Sequence, residues 1–221
     1  MIASVIFLLI LITVMAGVIF MYTAPQFGQK PHGAHLERIS NSPNYVDGQF
    51  INPVETSMGS FSEMMSTLPD FIFGKNLKPE KPLPVRYGDN QDQAYDSLCF
   101  VTWYGHSAFL IEMEDKRILI DPMLGERPSP FPFGTSRFSN EEPVPIKGLT
   151  NIDFIILSHD HYDHLDYSTI MQLKEEVGHF YTALGVGSHL VKWGIPKEKI
   201  TELDWWQSTV ADNLTLTACP A

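Results

Sequence analysis

The chain has 221 residues, with 15 Lys and Arg against 26 Asp and Glu, a formal charge of −11. That acidity excludes a nucleic-acid binder, which needs a basic face to neutralise phosphates. With 44% apolar residues and 2 cysteines, the chain is neither disordered nor a disulfide scaffold, and any metal must be held by His and carboxylates.

Residues 2–22, IASVIFLLILITVMAGVIFMY, carry no charge. About 20 apolar residues at roughly 1.5 Å rise span a bilayer core. No Lys or Arg precedes the run, and a cut after Ala24 would leave Pro25 next, so an uncleaved single-pass anchor is expected rather than a signal peptide. Lys30 and Arg38 follow the run, which places the main domain on the cytoplasmic side.

Residues 25–84 hold eight of the 16 prolines and read as an irregular linker or surface wrap, with one helical patch over Ser57–Leu68. The expected organisation is an anchor over 1–24, a linker and lead-in over 25–96, and a folded domain over 97–221. Within that domain, residues 98–104, 107–113 and 117–121 read as short strands. A Pro-rich loop over 122–150 carries Phe131, Phe133 and Phe138, open to loop packing or to contact with membrane or acyl chains. Residues 151–158, NIDFIILS, read as a strand buried on both faces. Tyr167–Val177 has helical spacing with Asp166 as N-cap, and Gly187–Trp193 reads as a short helix. Residues 179–184, 200–203 and 214–219 are further strands, giving an α/β domain with at least one sheet face uncovered.

Directly after NIDFIILS comes His159-Asp160-His161-Tyr162-Asp163-His164. Strand alternation would send His159 and His161 to one side, where two imidazoles can grip one metal. Asp163 and His164, past the turn, can grip a second. Imidazole and carboxylate suit zinc and related divalent ions. Two such ions can share a hydroxide, a strong nucleophile near neutral pH. By chance the pattern arises in roughly one such chain in two thousand.

H-x-H-x-D-H resembles the metal signature of the metallo-β-lactamase fold superfamily. WYGHSAFLIEMEDKRILIDPMLGERPSPF (103–131), ILSHDHYDHLDY (156–167), ELDWW (202–206) and the upstream NYVDGQFINP (44–53) resemble the branch that contains N-acyl-phosphatidylethanolamine-hydrolysing phospholipase D and its bacterial relatives. The resemblance implies an αββα sandwich, of which this chain carries the first half behind its anchor. It implies two divalent ions, with zinc favoured. His159 and His161 would bind one, Asp163 and His164 the other, and Asp163 would take part in catalysis. Asp121 would orient ligands from behind, and His106 of the Gly-His pair would stand near the site. The family's later ligands, a third His and then an Asp and a His, are not in the sequence, and the reading expects a longer protein.

The implied activity is a phosphodiesterase on N-acyl-phosphatidylethanolamine-like lipids, through a metal-bridging hydroxide. The implied partners are a lipid or phosphodiester substrate and the membrane, through residues 2–22. The alternatives are a lactonase or another phosphodiesterase on the same fold, and a non-catalytic truncated membrane protein. Elsewhere, His32 and His35 are expected to be solvated, and His179 and His189 ordinary. Trp205 and Trp206 are expected in the core, with the lining of a lipid groove as the alternative, and Cys219 as a small buried hydrophobe.

Overall fold

The computed structural model describes residues 2–54, 59–74, 78–85 and 99–220. Helix α1 (Ile2–Thr23) is the apolar run, long and apolar enough to cross a membrane, and none of its residues is buried.

The expected irregular linker is more ordered than its prolines suggest. Helix α2 (Gly33–Ser40) puts Ile39 in the core at 1% exposure. Strands β1 (Tyr45–Val46) and β2 (Gln49–Phe50) form a hairpin across Asp47 and Gly48, whose positive φ values of 51° and 85° suit a two-residue turn. The helical patch expected over Ser57–Leu68 is realised as α3 (Phe61–Phe73), while residues 57 and 58 lie outside the described residues. A capping box starts α3, with Ser60 and Glu63 each bonding the other's backbone N–H. None of its residues is buried.

The domain is built on a six-stranded mixed sheet in sequential order. Strands β3 (Phe100–Gly105), β4 (Ala108–Met113) and β5 (Lys116–Ile120) are antiparallel neighbours. From β5 the pairing becomes parallel through β6 (Ile152–Leu157), β7 (Val177–Ala183) and β8 (Ile200–Leu203). Helices α4 (Tyr167–Leu173) and α5 (Gly187–Lys192) lie between the parallel strands in the chain. Parallel strands need such crossovers, and their side chains are buried on both faces. Strand β6 obeys this: Ile155 and Leu157 join the core cluster holding Ile170, Phe180 and Leu190, while Phe154 joins the opposite cluster. Truncating a fully buried residue such as Ile155 to Ala would cost about 2–5 kcal/mol.

The second face is not left bare, as the sequence had suggested. Strands β9 (Ser208–Ala211) and β10 (Leu214–Thr217) form a hairpin whose Ala211, Leu214 and Leu216 pack on Ile118, Phe154 and Tyr181. That face stays open over β3, where Val101 and Trp103 are exposed.

Candidate metal centre

Strand β6 ends at Leu157, so His159 and His161 stand on the loop beyond it and not on the strand. Their neighbouring placement comes from the loop, with ring centroids 4.6 Å apart. The chain then turns, with His164 N–H and Leu165 N–H both donating to the His161 carbonyl. That turn brings His164 back to within 4.0 Å of His159, ring to ring. Asp166 caps α4 as the sequence indicated, accepting from Ser168 N–H at 3.0 Å. It also accepts from the Gly125 N–H and the Thr169 hydroxyl, which holds the loop after β5 against this helix.

Asp121, the residue after β5, is 4% exposed with φ of 41°. Its carboxylate accepts from Ser158 N–H at 2.7 Å, the Ser158 hydroxyl at 2.6 Å and His164 Nδ1 at 2.9 Å. A non-glycine residue in the left-handed region is held there by its surroundings, and such strain clusters at sites. Because His164 Nδ1–H donates to Asp121, the Nε2 lone pair faces away from it and is available to a metal. Ser158 does the same for His159: its O–H is given to Asp121, so its oxygen accepts from His159 Nδ1 at 2.9 Å. One carboxylate thus sets the tautomers of two histidines. Burial, and then the His164 and His161 rings, hold His159 below the ordinary imidazole value against the pull of Asp121 and Asp163. A neutral imidazole is the ligand form.

His106 follows Gly105 with φ of 48°, and its Nε2 lies 3.0 Å from Asp163 Oδ2. Asp163 Oδ2 lies 3.9 Å from His164 Nε2. His106, Asp163 and His164 therefore offer three donor atoms all within 4.8 Å of one another. The structure brings all six singled-out residues together. His159 and His161 sit side by side, His106, Asp163 and His164 form the second group, and Asp121 lies behind both. His106, read from the sequence only as a near neighbour, stands among the donors. The donor set of imidazoles and a carboxylate, with the Nδ1 atoms of His159 and His164 already tied back and their Nε2 atoms left to face an ion, fits a divalent transition metal.

The minor residues differ from expectation in four places. His35 is not solvated: its Nε2 donates to Glu202 at 2.7 Å and its Nδ1 accepts from Ser188 at 2.9 Å. His189 is not idle on α5: its Nε2 faces Asp160 Oδ2 at 3.6 Å and holds that carboxylate below its ordinary value. Trp206 is 69% exposed, because Trp206 takes φ of 66° in the turn after β8 and its ring leaves the core. Cys219 is exposed, two residues past the end of β10.

A His and Asp cluster on the loop beyond a central strand, on a mixed sheet with connecting helices and a β-hairpin on its second face, defines an α/β domain with a candidate metal centre. Residues 116–221, just under half of the chain, match the family model described as the Beta-lactamase superfamily domain, which supports placing that segment in the metallo-β-lactamase superfamily. An uncharacterized protein of Mycobacterium tuberculosis (strain ATCC 25618 / H37Rv) is 36% identical over 193 residues, 85% of this chain and 52% of that protein. The N-acyl-phosphatidylethanolamine-hydrolyzing phospholipase D 1 of Caenorhabditis elegans is 30% identical over 146 residues, 62% of this chain and 41% of that enzyme. A UPF0173 metal-dependent hydrolase of Anaeromyxobacter sp. (strain K) is 34% identical over 100 residues, 45% of this chain and 32% of that protein. The chain thus spans about half the length of the mycobacterial relative and less of the others.

Proposed function

We propose that this chain is part of a membrane-held phosphodiesterase that cleaves N-acyl-phosphatidylethanolamine-like lipids to phosphatidic acid and an N-acylethanolamine. The observation that carries the reading is the pair of adjoining donor groups braced by Asp121, taken with the similarity to the nematode phospholipase. His159 and His161 would hold one divalent ion and His106, Asp163 and His164 a second, with zinc the favoured metal. Bound there, the ions would supply a water-derived nucleophile at neutral pH and offset charge developing on the phosphoryl oxygens.

The protein's own part is positional. Asp121 and Ser158 fix which nitrogen each histidine presents. Asp163 would be the catalytic carboxylate, a ligand of the second ion beside His106 and His164. Helix α1 would keep the substrate's own bilayer within reach, with the domain on the cytoplasmic side that Lys30 and Arg38 favour.

The test is release of N-acylethanolamine from vesicles containing the N-acylated lipid, by membranes expressing the protein with its native flanking coding sequence. Release that Asp163→Asn abolishes supports the reading. No release from a preparation carrying stoichiometric transition metal overturns it. Hydrolysis of a soluble lactone by the same preparation would select the competing reading, a lactonase on the same fold.

A further inference from the structure

Helix α1 does not end in a free tether. In its last turn, Phe20 meets Phe27 at 5.6 Å and Phe131 of the domain's Pro-rich loop at 6.3 Å, ring centroid to ring centroid. Phe27 and Phe131 close the triangle at 5.4 Å, and Phe131 extends it to Phe133 at 5.6 Å. Hydrogen bonds fasten the same exit. Gln26 Nε2 donates to the Pro130 carbonyl at 3.2 Å, and Trp193 Nε1 donates to the Pro25 carbonyl at 2.8 Å. Trp193 itself is 5% exposed, so this is a core residue gripping the chain as it leaves the helix.

The level of that seam follows from helix geometry. A 22-residue helix is about 33 Å long, a near match to a hydrocarbon core of roughly 30 Å. Phe20 lies three residues before Thr23, about 4.5 Å from the helix end. If α1 crosses a bilayer, Phe20 is at the boundary of acyl chains and headgroups, and whatever touches it is at the same depth. Phe131 touches it. Phe133, on the same loop, is 69% exposed. The segment 128–134 reads PSPFPFG and has no charge. Its three prolines remove three backbone N–H donors, which lowers the cost of placing irregular chain where water is scarce. The Phe131 N–H is given to Ser129 Oγ at 3.2 Å.

We infer that residues 128–134 form a wedge seated in the membrane interface beside α1, with Phe133 entering a lipid bilayer and clamping the domain onto it. The inference rests on reading α1 as membrane-spanning and adds a second contact to it. A clamp of two contacts fixes orientation, where one helix alone allows swivelling. It also bears on the site. Trp193 packs on His189 at 6.1 Å, and His189 faces Asp160, which lies between His159 and His161. The clamped turn and the metal motif are thus joined through two side chains.

The experiment places a nitroxide on Phe133→Cys, in a Cys99→Ser, Cys219→Ser background, with the full chain in phosphatidylcholine vesicles. Phe133 is 69% exposed and its ring contact is to Phe131 at the edge of the seam, so the label replaces an outer residue and not a core one. The expected result is a several-fold excess of collisions with lipid-soluble oxygen over collisions with a water-soluble nickel chelate. Equal or greater collision with the chelate overturns the wedge. Vesicle flotation is read in parallel, and a chain that does not float overturns α1 as a span and the wedge with it. Activity is not read, so the wedge stands or falls independently of the phospholipase reading, which is tested separately by lipid cleavage.

Discussion

Asn44 Nδ2 donates to Asp204 Oδ1 at 3.0 Å, joining two residues 160 positions apart. The Ser42 hydroxyl donates to the other carboxylate oxygen at 2.6 Å, and the Trp205 N–H returns to Oδ1 at 2.8 Å. The segments NYVDGQFINP and ELDWW, separate in the sequence, are therefore two sides of one contact. It ties the chain ahead of the domain to the end of β8.

Asp204 gives the first prediction. Burial pushes its carboxyl up, but the bonds from Ser42, Asn44 and the Trp205 N–H outweigh it and hold Asp204 below its ordinary value. A carboxyl lowered by folding binds fewer protons folded than unfolded, so stability rises with pH across the window between the two values. Its contribution is present above the ordinary value of 3.8 and is lost as pH falls through the lower folded value. Asp204→Ala should cost roughly 2–3 kcal/mol at neutral pH. It should also flatten the acid limb below about pH 4, read by urea unfolding of the detergent-solubilised chain across pH.

Asp121→Ala removes the acceptor that orients His164 directly and His159 through Ser158. Chelator competition should show divalent-metal affinity falling about 10–100-fold. An unchanged affinity would mean the histidines are held by something else. The stability loss is a separate quantity, measured on the metal-free protein.

His106→Ala separates a ligand from a neighbour. With His106 among the donors, the variant should lose metal from the group it shares with Asp163 and His164 while His159 and His161 keep theirs. Metal analysis after dialysis should then show about half the content of the parent. Full content would return His106 to a bystander.

Gly28 has φ of 61°, and a Cβ built there would clash with the His189 ring at Nδ1. Gly28 combines that φ with ψ of −142°, a region open essentially to glycine, so Gly28→Ala should cost about 1–3 kcal/mol in backbone strain alone. It should also displace His189 from Asp160, visible as a changed imidazole resonance for His189. A silent spectrum would mean the turn relaxes elsewhere.

Much of the site was legible because it is local. The spacing in His159–His164 and its place after an unbroken apolar run needed no distant partner, and Asp166 announced the next helix by type. What escaped was set by long-range contact. Nothing near His35 marks Glu202 as its partner, and nothing near His189 marks Asp160. Strand β9 was missed because STVA has one apolar side chain of any size, and its register comes from pairing with β10. The β1–β2 hairpin is different: Asp47-Gly48 is a strong local turn signal and was there to be read.

Glu202 closes the account of α2. Its Oε1 accepts from the Gly185 and Gly187 N–H groups, its Oε2 from His35, and its carbonyl from Arg38 at 2.9 Å. These partners leave the ribosome far apart in time. His35 emerges 167 residues ahead of Glu202. At about 5–20 residues per second, α2 waits some 8–33 s for its anchor point. Throughout that interval α1 is already out and free to enter a membrane, while Ile39 and the Ser42–Asn44 segment have nothing to bury against. If α1 spans a membrane, its insertion comes before the domain assembles, and the domain then folds around a segment already fixed at one end.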